Sequence, residues 1–578
     1  METDGRLDLA GRPQARTLIA LIFVFLFCGF HTRARASVLA EDQASQVKRL
    51  YDAGKWDAVV RAVPQSPAEP ADLELDRGLA LAQLHRLREA EAALQAGHEG
   101  HPRDPRFLVE LGGIAYLEKR FSTAKKELRG ALALDPRDAY TNSLLASIYF
   151  LEGNLEAALK YWNRAGKPIV SDLMYDPQPR LDPLILDRAF QFSPGSVWKR
   201  NQFLTTQAEL ASLDLFPHTY FELAAQQDGS FKLVWHDSEQ PAWDSTKLDS
   251  IASMLRGLPY QSVYPEFYNL NHKGLNWLSF VRWDDEKRWL SSEAAWPVEE
   301  NPKRCIRFYF VGRNENWNIT RTLTPAVPSA AGFNMRRAVI GAEVASIASW
   351  RWRWNLAAEY SYRDFRTLTG IPGPAERFFS DSSGLALRAN IQRPLIRFPE
   401  RRFSLDAGAS GEAGKFTANP LGRYGRVEGS LAANWFPKAQ GEDYETSTLL
   451  RAGGTAGQVP FDELYMLGFD RDNDLWMRGH NGLVNGQKGN APLGTNFILS
   501  NSDIDKVVYD GGFLLVKVGP FVDTGDITDP SQFFGSPKWL TDTGLQATVR
   551  VLGSFEFVFG YGKDLRSGNN TFYSTVTR

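Results

Sequence analysis

Residues 350–363 read WRWRWNLAAEYSYR, and the alternation in that stretch decides the fold. Its even positions carry Trp352, Trp354, Leu356, Ala358, Tyr360 and Tyr362, while its odd positions include Arg351, Arg353, Glu359 and Arg363. A period of two is the signature of a strand with unlike faces. The same design recurs in GLALRANIQ (384–392), RRFSLDAGASGE (401–412) and RVEGSLAANW (426–435). A soluble β-sandwich also alternates, but its strands usually run about five or six residues. Several segments here reach nine or more, the length a tilted strand needs to cross a bilayer. Aromatics gather near strand ends, at Trp352, Tyr362, Trp435 and Phe436, where an interfacial girdle would place them. From about residue 258 to Arg578 the segments number about sixteen, an even count suited to a barrel that leaves no free edge. In FLLVKVGPFVD (513–523) the apolar even side then faces lipid and Asp523 faces the lumen, where a carboxylate requires a cation.

The rest of the chain sets bounds. Its 578 residues allow several domains, and a formal net charge of −2 gives no bias toward nucleic acid. No run of eighteen apolar residues follows the N-terminus, so no helical span is expected there. Residues 1–36 join a basic-ended segment, the apolar TLIALIFVFLFCGF and an A-x-A site at Ala34 and Ala36, which predicts a secretory signal peptide; a retained anchor is the alternative. Cleavage after Ala36 removes Cys28 and leaves Cys305 as the one thiol, which excludes an intramolecular disulfide and a multi-cysteine metal site.

Between residues 40 and 170 small side chains recur every 34 positions, at Gly78, Gly112 and Ala146 and at Ala90, Ala124 and Ala158, with Pro102 and Pro136 closing two units. The pattern resembles the tetratricopeptide repeat, with a decayed first copy around YDAGKWDAVV (51–60). The resemblance implies an α-helical solenoid whose concave face holds a periplasmic partner, or else a spacer. Residues 171–183, rich in proline, read as a linker. Residues 184–240 hold an apolar run (184–192), an S-P-G turn, a helical stretch and two strands joined across Gln227-Asp228-Gly229, an order that resembles a small α+β POTRA domain.

LYMLGFDRDNDLWMRGHNG (464–482) and FVDTGD (521–526) resemble the loop and strand motifs of the surface-antigen superfamily of outer-membrane barrels, the group that includes BamA. The resemblance spans about residues 184–578. It implies a loop folded back into the lumen, with Arg478 as its arginine, Gly479 beside it, Asp523 as the acidic partner and Gly525 following. Asp503 is carried over as a second acidic residue, one position out of register. His480 and Met477 depart from the motif, which predicts looser packing of the loop tip. The chain also ends TFYSTVTR without a terminal aromatic. The resemblance further implies assembly, insertion or translocation of unfolded outer-membrane or secreted client proteins from the bacterial outer membrane, with the N-terminal modules in the periplasm. A secretion or solute pore and a barrel-anchored scaffold are the alternatives.

No enzyme, cofactor or metal is expected. Asp523-Thr524-Gly525 and Asp542-Thr543-Gly544 spell the aspartic-protease tripeptide, but 19 residues cannot seat each in its own lobe. Asp470, Asp472 and Asp474 imitate a calcium loop, yet Leu475 stands where the turn glycine belongs, so a solvated acidic loop is expected. The eight histidines show no metal spacing, and there is no phosphate-binding P-loop.

Overall fold

The computed structural model describes residues 43–63, 70–240, 251–320 except 252, 331–417 except 372, and 422–577 except 513, 530–532 and 552–554. The signal-peptide expectation for residues 1–36 lies outside them. The chain divides into two compact units, one ending at Ile148 and the other running from Tyr149 to the C-terminus.

The first unit is helical: α1 (43–52), α2 (Trp56–Ala62), α3 (Ala71–Gln83), α4 (Leu87–Gly100), α5 (Pro105–Leu117), α6 (Phe121–Leu134) and most of α7 (Ala139–Leu151). The 34-residue spacing has a direct packing cause. A side chain at Gly78 would meet Leu94 at 2.5 Å, and one at Gly112, 34 residues on, would meet Leu128 at 2.6 Å. Glycine therefore lets α3 approach α4, and α5 approach α6, with a leucine seated over bare backbone each time.

The second unit begins with α8 (Leu155–Trp162) and a small four-stranded sheet of order β2-β1-β4-β3. Its strands are β1 (Ile169–Asp176), β2 (Ser196–Val197), β3 (His218–Ala225) and β4 (Phe231–Ser238), with α9 (Pro183–Ala189) and α10 (Arg200–Ser212) between them. Two expectations change here. Residues 171–183, read as a linker, contain most of β1, and the apolar run 184–192 is mainly helix α9. β1 lies parallel to β4 and antiparallel to β2. Partners far along the chain make it a strand, and no local period announces them.

The large sheet follows. It comprises β5 (Ser262–Val263), β6 (Glu266–Leu270), β7 (Leu275–Trp283), β8 (Lys287–Val298), β9 (Asn301–Asn318), β10 (Gly332–Ser349), β11 (Trp352–Thr369), β12 (Ser382–Phe398), β13 (Phe403–Phe416), β14 (Arg423–Trp435) and β15 (Tyr444–Gly457). Four two-residue strands lie inside the long connection after β15: β16 (Tyr465–Met466), β17 (Leu483–Val484), β18 (Gln487–Lys488) and β19 (Leu493–Gly494). β20 (Asn496–Asp510), β21 (Leu514–Thr528), β22 (Leu540–Val551), β23 (Phe555–Asp564) and β24 (Asn570–Thr577) complete the wall. With β5 and β6 counted as one interrupted stave, the described residues form fifteen staves, each antiparallel to the next.

The even count of about sixteen is thus not what the described residues give, and the difference matters. After fourteen reversals the first and last staves run the same way, so an antiparallel ladder cannot join them directly. Strand order returns from β24 to β5 as in a barrel. Among the described residues, however, no ladder register joins these two strands, and the contacts there come from side chains, such as Tyr260 Oη to Ser574 Oγ at 3.3 Å.

The wall alternates as its sequence requires. On β11, Trp352, Trp354, Leu356, Tyr360 and Tyr362 are exposed outside, whereas Glu359 and Arg363 are buried inside. Leu385, Leu387, Val427, Leu431, Val522, Leu545 and Phe572 continue the apolar exterior around the sheet. Soluble surfaces rarely expose so wide an apolar band. No helix among the described residues is long and apolar enough to cross a membrane.

One rim carries the small domain. The backbone N–H of Asp182 donates to His272 O at 2.8 Å, Ser212 Oγ donates to Pro302 O at 3.1 Å, and Asn154 Nδ2 donates to Pro399 O at 2.7 Å. Three turns of the barrel therefore grip α8, α9 and α10. Glu209 of α10 is fully buried there, with Lys303 Nζ 3.7 Å away and Gln191 Nε2 donating at 3.3 Å. Burial pushes its carboxyl up to about 7, against the opposing pull of Lys303. A raised folded-state value gives stability that is present below the unfolded value and lost as pH rises through about 7. Glu209→Gln should therefore stabilise the fold at pH 8 by on the order of 1 kcal/mol, read as a higher thermal midpoint, and flatten the dependence of that midpoint on pH between 6 and 8. A melting series across that range checks this.

Candidate functional site

The connection between β15 and β20 (458–495) enters the barrel rather than leaving it, and three groups of contacts hold it there. At its base Phe461 sits in an aromatic box, with ring centroids 4.8 Å from Trp317, 4.9 Å from Phe333 and 5.0 Å from Phe379. The next two residues, Asp462 and Glu463, face a row of arginines on the wall. Arg363 Nε lies 2.8 Å from Asp462, and Arg337 Nη2 lies 2.6 Å from Glu463. Arg388 and Arg426 approach Glu463 at 3.5 and 3.6 Å. Four guanidinium groups so converge on two buried carboxylates.

In the middle, Asp472 takes both hydrogen bonds from Arg282 Nη1 at 2.7 Å, and Asp470 accepts from Lys287 at 3.2 Å. Lys488 lies 3.7 Å from Asp470 and donates to Glu315 on the wall at 2.8 Å. Asp474 lies 3.2 Å from Arg451. A solvated acidic loop is expected of these aspartates; Asp474 is exposed as that reading has it, with Arg451 beside it, but the Asp470 and Asp472 side chains are buried as counter-ions to wall cations. Their partners lie 23 to 190 residues away in sequence, beyond the reach of local reading.

The tip brings together every residue carried over by the resemblance. Arg478 Nη2 donates to Asp523 Oδ1 at 2.6 Å and Nε to Oδ2 at 2.9 Å, a two-pronged contact on a carboxylate with no exposed surface. The backbone N–H of Arg478 also donates to Asp523 Oδ2 at 2.9 Å, and Nη1 bonds Asp503. The guanidinium stacks on Phe521 at 3.8 Å from the ring centroid. Asp503 pairs across the ladder with Phe521, while Asn501 stands opposite Asp523 and donates to it at 2.7 Å. The one-residue offset thus brings in an amide as well as an acid. Gly525 lies beneath Leu467 of the loop, where an added side chain would come within 3.1 Å of that leucine.

Gly479 is pressed harder than Gly525. A Cβ there would meet Asp542 Cγ, Asp564 N and Lys563 C, each at 2.7 Å. Two of these atoms are backbone and cannot yield cheaply. Gly479→Ala should therefore dislodge the tip while leaving the wall intact. Trypsin cleavage within 464–482 should become at least about tenfold faster, with heat-modifiable migration preserved.

His480 departs from the motif without loosening the tip. Its Nδ1 lies 2.9 Å from Asp542 Oδ1 and its Nε2 3.3 Å from Asp564 Oδ2, and all three residues are buried. Asp542 also accepts the Gly479 N–H at 2.6 Å. Ligand atoms of this trio lie within 4.8 Å of one another, which makes it a set that could hold a metal among the described residues. Both ring nitrogens already face carboxylates, Nδ1 in hydrogen-bond contact with Asp542 and Nε2 toward Asp564. Local histidine spacing could not show it, because loop and strands meet only in the fold. Asp523 and Asp542 are cross-strand partners, and each faces its own group from the loop tip, Arg478 against Asp523 and His480 against Asp542. Arg363, Arg388 and Arg426 stand on the charged sides of three alternating segments of the sequence, but neither Arg337 beside them nor their common target was readable there.

No protein-family model matches the chain, and no curated protein matches it. Among solved structures, it is similar to BamA from Haemophilus ducreyi lacking POTRA domains 1–3, at 10% identity and TM-score 0.42, over 72% of this chain and 85% of that one. CdiB from Escherichia coli aligns at 11% identity and TM-score 0.45, over 71% and 75%. CdiB from Acinetobacter baumannii aligns at 10% identity and TM-score 0.42, over 73% and 81%. Likenesses of this size carry none of the functional weight, which falls on the geometry of the wall and its loop.

Proposed function

We propose that this chain is an outer-membrane barrel of the surface-antigen superfamily, with tetratricopeptide and POTRA modules in the periplasm, and that it takes part in inserting or translocating other proteins. The observation that carries the reading is an ion-clamped loop inside the lumen together with first and last staves that are neighbours in the barrel but share no ladder register among the described residues. A filled lumen favours the seam as the route, where a client strand would add to a free sheet edge. The apolar exterior supports a lipid setting. The small sheet's outer strand β3 offers a second edge for strand addition.

A secretion pore is the second reading, and one feature favours it. A cavity of about 390 Å³ opens between α10 and the wall, lined by charged residues such as Lys303, Arg307 and Glu343 and by apolar ones such as Ile347 and Trp354, a mixed vestibule that could take an unfolded chain. Reconstitution into liposomes separates the two. An insertase accelerates folding of a client barrel with little added conductance; a rise in conductance without faster folding would sink the first reading. Removal of residues 43–148 should spare client folding if the helical array is an accessory, and abolish function if the barrel is only a tether.

A further inference from the structure

We propose that Arg471 latches the barrel seam, a positioning residue that occupies the free edge of β24 until that edge is used. The proposal deepens the reading of the seam as the working site and rests on it. Arg471 leaves the lumenal loop and reaches the gap between the two end staves. Its Nε and Nη2 donate to the backbone carbonyl of Ser574 at 3.1 and 3.0 Å, and its guanidinium lies 3.4 Å from the centre of the Tyr260 ring. Tyr260 stands just before the first stave, and its hydroxyl lies 3.3 Å from Ser574 Oγ.

A carbonyl on an unpaired edge is the acceptor that a neighbouring strand's N–H would fill. Here a guanidinium fills it, so one side chain bridges both lips of the seam. Arg471 also differs from the arginine that anchors the tip. Arg478 holds two carboxylates, Asp523 and Asp503. Among the described residues Arg471 forms an ion pair with no carboxylate, because neighbouring Asp470 and Asp472 are engaged by Lys287, Lys488 and Arg282. A carbonyl and a ring face hold a cation more weakly than two buried carboxylates do. The same loop therefore carries a permanent anchor at 478 and a releasable contact at 471. An incoming strand that offered its N–H to Ser574 would replace the guanidinium bond for bond and part the lips.

Hydrogen exchange of the full chain in lipid nanodiscs tests this. Arg471→Ala should speed exchange across 571–577 roughly tenfold, with 521–528 unchanged, and Arg471→Lys should stay within about threefold of the parent, because an ammonium can still meet both partners. Unchanged exchange in 571–577 overturns the proposal. So does an increase spread equally over 521–528, which marks a general stabiliser. If Arg471→Ala fails to form a heat-modifiable barrel, Tyr260→Leu, which removes ring and hydroxyl alone, decides by the same two segments. Exchange that behaves as stated while client folding is not accelerated upholds the latch and removes the insertase reading instead.

Discussion

Arg478→Ala should destabilise the folded barrel by about 3–5 kcal/mol, the largest effect expected of any single change in the loop. The substitution removes a cation and leaves Asp523 with no exposed surface and no charge partner. It also removes the stacking on Phe521 and the second bond to Asp503. The Arg478 backbone N–H and Asn501 still donate to Asp523, so its carboxylate is underserved rather than bare. Asp523→Ala should cost less, because Arg478 keeps Asp503 and Gln546 as acceptors. The double variant should lie well short of the sum, with a coupling of about 2–3 kcal/mol. Urea unfolding of the four proteins in detergent, read by migration without heating, measures the cycle; additive effects would rule out the direct pair.

Glu463→Ala should come close behind, at about 3–4 kcal/mol, for the opposite electrostatic reason. Glu463 is the shared acceptor of Arg337, Arg388 and Arg426. Without it four guanidinium groups, those of Arg337, Arg363, Arg388 and Arg426, crowd one region with Asp462, Glu359 and Glu412 to offset them. Repulsion among like charges should open the loop base while Phe461 holds the aromatic box. The expected signature is a salt-sensitive defect, in which 1 M salt recovers about half of the lost stability by screening the arginines. Asp462→Asn should show the same sign and a smaller size, since Arg363 and Arg337 retain Glu463.

Much of the wall was legible because a strand's faces are a local property. Trp352, Trp354 and Leu356 against Glu359 and Arg363 place outside and inside without knowledge of any partner. The 34-residue repeat was legible for the same reason, since Gly78 and Leu94 are near neighbours along one helical hairpin. β1 was hidden because its identity depends on β4, which follows about 60 residues later. The missing antiparallel closure was hidden too: counting alternations approximates the number of staves, but parity turns on a single element. His480 was misjudged because its compensation comes from Asp542 on β22 and Asp564 on β23.

By itself, the sequence determined which side chains face out and which face in, and it named Arg478, Gly479, Asp503, Asp523 and Gly525 as a group through their likeness to a known pair of motifs. Only the tertiary structure decided which charge meets which. It turned Asp470 and Asp472 into buried counter-ions, set Glu463 among arginines and sent Arg471 to the seam. The physical reason is range. Alternation is written in neighbouring residues, whereas a buried ion pair needs two groups from distant staves to share one dry place, and only a folded barrel supplies that place.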